Sequence, residues 1–171
     1  MSRQDTGRDG QVEVPGLADE LADAGRRIVA ELTGRERLTL VGVGWATVEL
    51  ARAAKELTAA LGPALEVPFG PASDDPAMGA YAEVGRLAGG LWLVLLEPNT
   101  EGRLAGCLVR FGEAVVVAYA ERIPGRHALD GRSLAPALAG PLGHARHVAG
   151  GRRGPHLLLL DDAGGRATIR P

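Results

Sequence analysis

The spacing of apolar residues in the middle of the chain predicts a strand, a short helix and a second strand. Residues 91–96 are all apolar, which is typical of a strand buried on both faces. Pro98 has no backbone N–H to continue a ladder, so it ends this strand at Glu97. A helix is predicted next, because apolar side chains recur on one face at Leu104, Cys107, Leu108 and Phe111. A second apolar strand over residues 114–120 completes the segment.

The residues before this segment alternate between helical and strand patterns. Periodicity predicts an amphipathic helix over residues 17–34, a strand over 38–45, a helix over 47–61 and a half-buried strand over 80–87. Residues 63–76 are rich in Pro, Gly and Asp and are predicted to be loop or irregular edge strand. This order of elements indicates an α+β fold.

The two ends of the chain carry weaker patterns. Residues 1–16 are polar and are predicted to be a disordered arm, which leaves residues 35–171 as a single domain behind the first helix. A loop is predicted over 123–132, a short helix from Ser133 to Leu138, and a terminal hairpin between 157–160 and 167–169. With the first helix set aside, the second half repeats the first as strand, helix and strands.

Composition indicates which partners and which cellular compartment to expect. The formal net charge of −2 gives no reason to expect nucleic acid as a partner. A single cysteine allows no disulfide framework, so a reducing cytoplasm is expected. No apolar run approaches the roughly 18 residues of a membrane span, so we predict neither a signal peptide nor a membrane anchor.

Three segments resemble the vicinal oxygen chelate superfamily, which includes glyoxalase, the extradiol dioxygenases, the bleomycin-resistance proteins and methylmalonyl-CoA epimerase. Residues 38–62 are similar to its opening strand and helix, and residues 150–168 to the closing hairpin of the epimerase branch. Residues 94–119 resemble that branch most closely, because a strand ends in Glu-Pro, a short helix follows, and a Gly-Glu turn starts the next strand. The resemblance implies two paired βαβββ modules, over about 38–112 and 113–171, that form a cupped mixed sheet.

The resemblance also implies a divalent metal ion on the concave face of the cup, but the ligand positions are not filled here. The two family histidines match Leu40 and Val117, and the central-strand ligand matches Val94. The closing carboxylate has only Thr168, Ile169 or Arg170 in its place. Because apolar side chains cannot coordinate a metal, we predict no metal, no cofactor and no epimerase activity.

Strand alternation predicts what lines the cup instead. The catalytic candidates are Tyr119 and Glu121, the first a hydrogen-bond donor or else a packed aromatic, the second a base only if it is desolvated. The candidates for binding a substrate are Leu40, Gly42, Trp45, Tyr81, Glu83, Trp92, Val94, Leu96 and Val117. Gly42 and Gly44 indicate close packing or the close approach of a ligand. The result is a mostly apolar pocket suited to a hydrophobic small molecule.

The remaining polar candidates are assigned structural roles. His144 and His147 have H-x-x-H spacing but no third ligand nearby, so we do not predict a metal site there. Cys107 is expected to be a small buried hydrophobe. His127 and His156 are expected to be structural or exposed, and Asp161 and Asp162 to form a turn.

Two functions remain open from the sequence. In the first, the protein is a metal-independent isomerase or cyclase that acts on a hydrophobic metabolite, for example in polyketide or other secondary metabolism, through orientation of the substrate. In the second, it sequesters a drug-like molecule, as bleomycin-resistance proteins do, or serves as an accessory subunit. A homodimer is expected from the resemblance alone.

Overall fold

A curled mixed β-sheet and three helices form the described part of the fold. The computed structural model describes residues 16–33, 38–122, 136–150 and 154–161. The helices are α1 (Leu17–Thr33), α2 (Leu50–Leu61) and α3 (Arg103–Phe111), with a 3₁₀ turn at Gly62–Ala64. The strands are β1 (Leu38–Ala46), β2 (Leu65–Val67), β3 (Ser73–Asp75), β4 (Ala80–Leu87), β5 (Trp92–Pro98), β6 (Ala114–Arg122), β7 (Leu138–Gly140), β8 (Gly143–Ala149) and β9 (His156–Leu160).

The order of the strands shows two similar halves. The strand order in the sheet is β2-β4-β5-β1-β6-β9-β8-β7, and β3 pairs with the first three residues of β4. In each half the first strand is parallel to the last, β1 to β5 and β6 to β9, and the two halves meet where β1 and β6 pair antiparallel. The predicted α+β fold, a cupped mixed sheet with an extra N-terminal helix, is confirmed.

Some predicted elements differ from the structure or lie outside its described residues. The second helix begins at Leu50 instead of residue 47. Of the two alternatives predicted for residues 63–76, loop or irregular edge strand, the segment contains the short edge strands β2 and β3. The N-terminal arm, His127 and the last strand of the terminal hairpin lie outside the described residues. The short helix predicted from Ser133 to Leu138 lies partly outside them, and its described part, residues 136–138, is not helical, because Leu138 begins β7.

The two faces of the sheet are distinguished by a contact across its curl. Tyr119 of β6 reaches Asp75 of β3, although β1, β5 and β4 separate these strands in the sheet. The face that carries Tyr119 is therefore concave. Helices α1 and α2 pack on the convex face against Val43, Leu93 and Leu95, whereas α3 packs with the concave face.

Two carboxylates from other elements cap the N-terminus of α2. Glu113, in the turn before β6, accepts hydrogen bonds from the Thr47 hydroxyl (2.6 Å) and the Val48 N–H (2.9 Å), and it also pairs with Arg52. Glu97, at the end of β5, accepts from the Leu50 N–H at 2.8 Å. Glu97 and Glu113 thus connect the segment between β1 and α2 to the end of β5 and the start of β6. The hydrogen bond from Thr47, helped by those from Val48 and Arg52, lowers the pKa of Glu113.

We expect Glu113→Ala to lower the free energy of unfolding by about 2 kcal/mol, because the α2 N-terminus and the Thr47 hydroxyl lose their acceptor. Urea unfolding at pH 7 measures the change. The matched control is Glu56→Ala, which removes an exposed carboxylate bound to the same Arg52 and should cost less than about 0.5 kcal/mol. Equal costs for the two variants would show that Glu113 is not a cap.

Candidate functional site

The concave face of the sheet is a packed core. The family resemblance had implied a metal ion on this face. The side chains of Val94, Leu96 and Val117 are fully buried, at 0% exposure. They lie in one apolar cluster with side chains from α3, the β3–β4 turn and β9, namely Leu104, Cys107, Met78 and Leu158. The three predicted binding residues therefore contact core side chains instead of open space.

The glycines of β1 serve this packing. A Cβ atom on Gly44 would lie 2.8 Å from Leu96 Cδ1 and 2.8 Å from Val117 Cβ. A Cβ on Gly42 would lie 3.1 Å from Leu142 Cδ1 and from Trp92 Cβ. Of the two readings of these glycines, close packing is the one that the structure shows.

Four of the predicted binding residues lie on the convex face. A register irregularity between Leu40 and Gly42 turns Leu40 toward the helices. Pairing with β5 places Tyr81 beside Glu97 and Glu83 beside Leu95, so the inward residues of β4 are its alanines and Val84. The fourth, Trp45, packs in the cluster beneath the helices. The predicted inward orientation of Leu40, Tyr81 and Glu83 is therefore wrong, because the bulge in β1 and the register of β4 decide the face.

Tyr119 and Asp75 form a buried polar pair that closes the curl of the sheet. The Tyr119 hydroxyl donates to Asp75 Oδ2 at 3.4 Å, and each residue is 1% exposed. Asp75 Oδ1 also accepts from the N–H groups of Ala77 (3.1 Å) and Met78 (3.3 Å). Burial raises the pKa of Asp75 and, together with the Asp75 charge, raises that of Tyr119. The pair anchors the β3 turn against β6 and is covered from solvent.

Asp75 was not among the predicted residues. It lies within the segment predicted to be loop or edge strand, and its partner is 44 residues away. The local signal is an aspartate two residues before the N–H groups that it caps, a common turn arrangement. Nothing in that arrangement indicates the contact with Tyr119.

A second polar cluster joins α3 to the β8–β9 hairpin. The Cys107 thiol donates to the Gly154 carbonyl oxygen (3.1 Å), and its Sγ lies 3.5 Å from His156 Nε2. The other ring nitrogen of His156, Nδ1, lies 3.0 Å from His147 Nε2, so one imidazole donates to the other. Cys107 and His156 are fully buried. Burial raises the pKa of Cys107, and burial with the nearby charges of His147 and Arg103 lowers that of His156 to about 4.

This cluster agrees with the structural roles that were predicted for Cys107 and His156. His147 lies on a strand, where residues three apart point to opposite faces, so it contacts His156 while His144 is exposed. Among the described residues, no group of three His, Cys, Asp or Glu side chains is arranged to hold a metal ion.

An open cleft lies beside α1, where this helix passes the ends of the central strands. Its volume is about 930 Å³. One wall is α1, from Ala18 to Thr33, and the other is the β4–β5 turn with the ends of β1 and β6. Three predicted site residues line it: Leu40, Trp92 and Glu121.

Only one of the two catalytic candidates lines the cleft. Glu121 is exposed and lines the cleft, whereas Tyr119 is buried against Asp75 in the interior. The cleft also reaches Val41, which packs against the concave core, and Trp92, which alternation places on the same face of β5 as Val94. Most of its lining residues are apolar, but nearly half of its surface is polar, and Asp19, Arg26 and Glu121 are its charged residues among those described.

Comparison with known proteins bears on the fold. No protein-family model matches the sequence, and no curated protein sequence matches it. None of the helices in the described residues is long and apolar enough to cross a membrane.

Solved structures with the same fold include methylmalonyl-CoA epimerases. The Mycobacterium tuberculosis epimerase aligns with a TM-score of 0.58 at 15% identity, over 75% of this chain and 91% of that one. A Streptomyces coelicolor epimerase variant in complex with 2-nitronate-propionyl-CoA aligns with a TM-score of 0.53 at 17% identity, over 72% of this chain and 96% of that one. A hypothetical protein from Bacillus halodurans C-125 aligns with a TM-score of 0.52 at 15% identity, over 72% and 94%. The predicted resemblance is confirmed as a likeness of fold.

Proposed function

We propose that this protein binds a hydrophobic small molecule without a metal ion, and that the ligand occupies the cleft beside α1. The observation that supports this site is the open cleft of about 930 Å³, whose lining residues are mostly apolar although nearly half of its surface is polar. Ligand sites in proteins are commonly concave and mostly apolar, with volumes of about 300–1,000 Å³.

Two further observations support binding at the cleft instead of metal chemistry in the cup. Val94 and Val117 stand at expected ligand positions on the concave face, and hydrocarbon side chains offer no lone pair to a cation. Val94 and Val117 are also fully buried, so a ligand would have to displace core packing to reach them. The cleft needs no such rearrangement.

A second candidate function is an isomerase or cyclase that works in the same cleft. It is favoured by Glu121, an exposed carboxylate on the wall of the cleft, which is placed to accept a proton from a ligand bound there. For a ligand that the protein converts, Glu121→Gln should reduce turnover at least about 100-fold while binding is retained. Binding without any conversion favours sequestration or an accessory role.

We also propose a homodimer in a reducing cytoplasm. The fold likeness to the epimerases motivates the first statement, and the single cysteine motivates the second. Light scattering at two protein concentrations tests the oligomeric state.

Tryptophan fluorescence tests the cleft, because the chain has two tryptophans and one of them, Trp92, lines it. In Trp45→Phe, which keeps Trp92, we expect 8-bromo-1-octanol to quench the fluorescence saturably, with half-saturation at about 0.1–1 mM from partial burial of its chain. EDTA should not change the result. In Trp92→Phe, which keeps Trp45 beneath the helices, quenching should be weak and linear.

Blocking the cleft provides the matched control. Leu40→Arg should abolish the saturable phase, whereas Ala51→Arg, at an exposed position of α2, should retain it. Equal, unsaturable quenching of Trp45 and Trp92 would reject the cleft as a binding site.

A further inference from the structure

We infer that the ligand of the cleft is an amphipathic amine, whose ammonium group pairs with the Glu121 carboxylate. This inference rests on the proposed binding of a hydrophobic molecule in the cleft. It adds the charge class of the ligand and assigns Glu121 as the residue that determines specificity.

The charges on the cleft walls favour a cation. Two carboxylates, Asp19 and Glu121, line it, and Arg26 is the one cation that lines it among the described residues. The Arg26 guanidinium already donates from Nε (3.1 Å) and Nη2 (2.5 Å) to Oδ1 of Asp23, on the preceding turn of α1. The cleft therefore presents an excess of negative charge to a ligand.

The described arginines of β4 and β6 do not pair with Glu121. Arg86 lies over the Trp92 ring at 5.6 Å and donates to Glu66 Oε2 at 3.0 Å. Arg122 follows Glu121 on β6, so alternation places its side chain on the convex face that α1 covers, where its Nε is buried without a hydrogen-bond partner among the described residues, and it does not line the cleft. In the described part of the chain, the Glu121 carboxylate has neither a hydrogen bond nor an ion pair, and water solvates it.

Covering the cleft changes the free energy of this carboxylate. A neutral apolar ligand that fills the cleft removes water from Glu121 and leaves a partly buried charge without a partner, which is costly. A ligand carboxylate adds repulsion to that cost. An ammonium group replaces the lost water with a charge-assisted hydrogen bond. An amine is therefore the ligand class for which desolvation of Glu121 reduces the binding free energy least.

Isothermal titration with three ligands of one chain length tests the inference: octylamine, 1-octanol and octanoate at pH 7. We expect the amine to bind about fivefold more tightly than the alcohol, and octanoate to bind most weakly. Glu121→Gln should remove the preference for the amine and leave the affinity for 1-octanol within about twofold. Glu101→Gln, which neutralises an exposed carboxylate outside the cleft, should keep the preference.

The outcomes separate this inference from the proposed function. If 1-octanol binds in the cleft and octylamine binds no better, the amine inference is overturned and the binding site stands. If the preference survives in Glu121→Gln but disappears in Asp19→Asn, the assignment to Glu121 is wrong. If none of the three compounds binds and Trp92 is not quenched, the proposed function fails as well.

Discussion

Leu96→Ala should lower the free energy of unfolding by about 3–4 kcal/mol. Leu96 is fully buried on β5, in the centre of the concave cluster with Leu104 and Tyr119. Removing its three terminal carbons forfeits the transfer free energy of those atoms and leaves a cavity, since the surrounding strands can collapse only in part. Urea unfolding followed by circular dichroism measures the change.

The control for this variant is Val48→Ala, an apolar truncation at a position that is 66% exposed, which should cost less than about 0.5 kcal/mol. The comparison matters for function, because Leu96 was a candidate for contacting a ligand. A cost below about 1 kcal/mol for Leu96→Ala would indicate that the concave face is an open pocket, and would move the proposed site from the cleft to the cup.

The protein should lose about 2 kcal/mol of stability between pH 7.5 and pH 5 through His156 alone. Burial holds the pKa of His156 near 4 in the folded state, whereas an unfolded histidine titrates near 6.5. Between these values the unfolded chain binds the proton and the folded chain does not, so stability rises with pH and falls on acidification. The full contribution, about 3 kcal/mol, is lost once the pH passes below 4.

Other groups modify this pH dependence in known directions. Burial also lowers the pKa of His147, which adds to the loss on acidification. The lowered pKa of Glu113 contributes stability that is lost only below about pH 4.5. The raised pKa of Asp75 acts in the opposite sense at pH values above 3.8, so it partly offsets the loss from the histidines on acidification.

Urea unfolding at pH 7.5, 6 and 5 tests the assignment through the slope of stability against pH. His156→Gln should flatten this slope whatever its stability at pH 7.5, because the amide does not titrate. His144→Gln, at an exposed position of the same hairpin, should retain the wild-type slope. An unchanged slope in His156→Gln would mean that the imidazole takes up its proton in the folded protein as readily as in the unfolded chain.

The elements with strong periodicity were predictable, and those without it were not. The strand over 80–87 was predicted with the same limits as the structure shows, and α1 was predicted to within one residue. β3 has only three residues and lies in a Pro- and Asp-rich segment, so no pattern distinguishes it from loop. β8 contains two histidines and an arginine, and its burial comes from β9 and α3 instead of from a run of apolar residues.

The candidate site was predictable only in part, because the face of a residue depends on register. Alternation placed Val94, Leu96, Val117 and Tyr119 on the concave side, as observed. Leu40 was misplaced because a bulge adds one residue to β1 and reverses the alternation before it. Glu121 and Trp92 were expected in a cup, and they line a cleft whose other wall is α1, a helix that the repeated halves do not include.

The sequence by itself determined the α+β class, the limits of the long strands and helices, and the absence of lone-pair donors at Leu40, Val94 and Val117. These are properties of consecutive residues or of single side chains. Tertiary structure decided that Tyr119 meets Asp75, that Cys107 meets His156 across 49 residues, and that the concave face is filled while the cleft beside α1 is open. Such contacts depend on how far the sheet curls and where its bulges fall, and both are set by the packing of the whole chain.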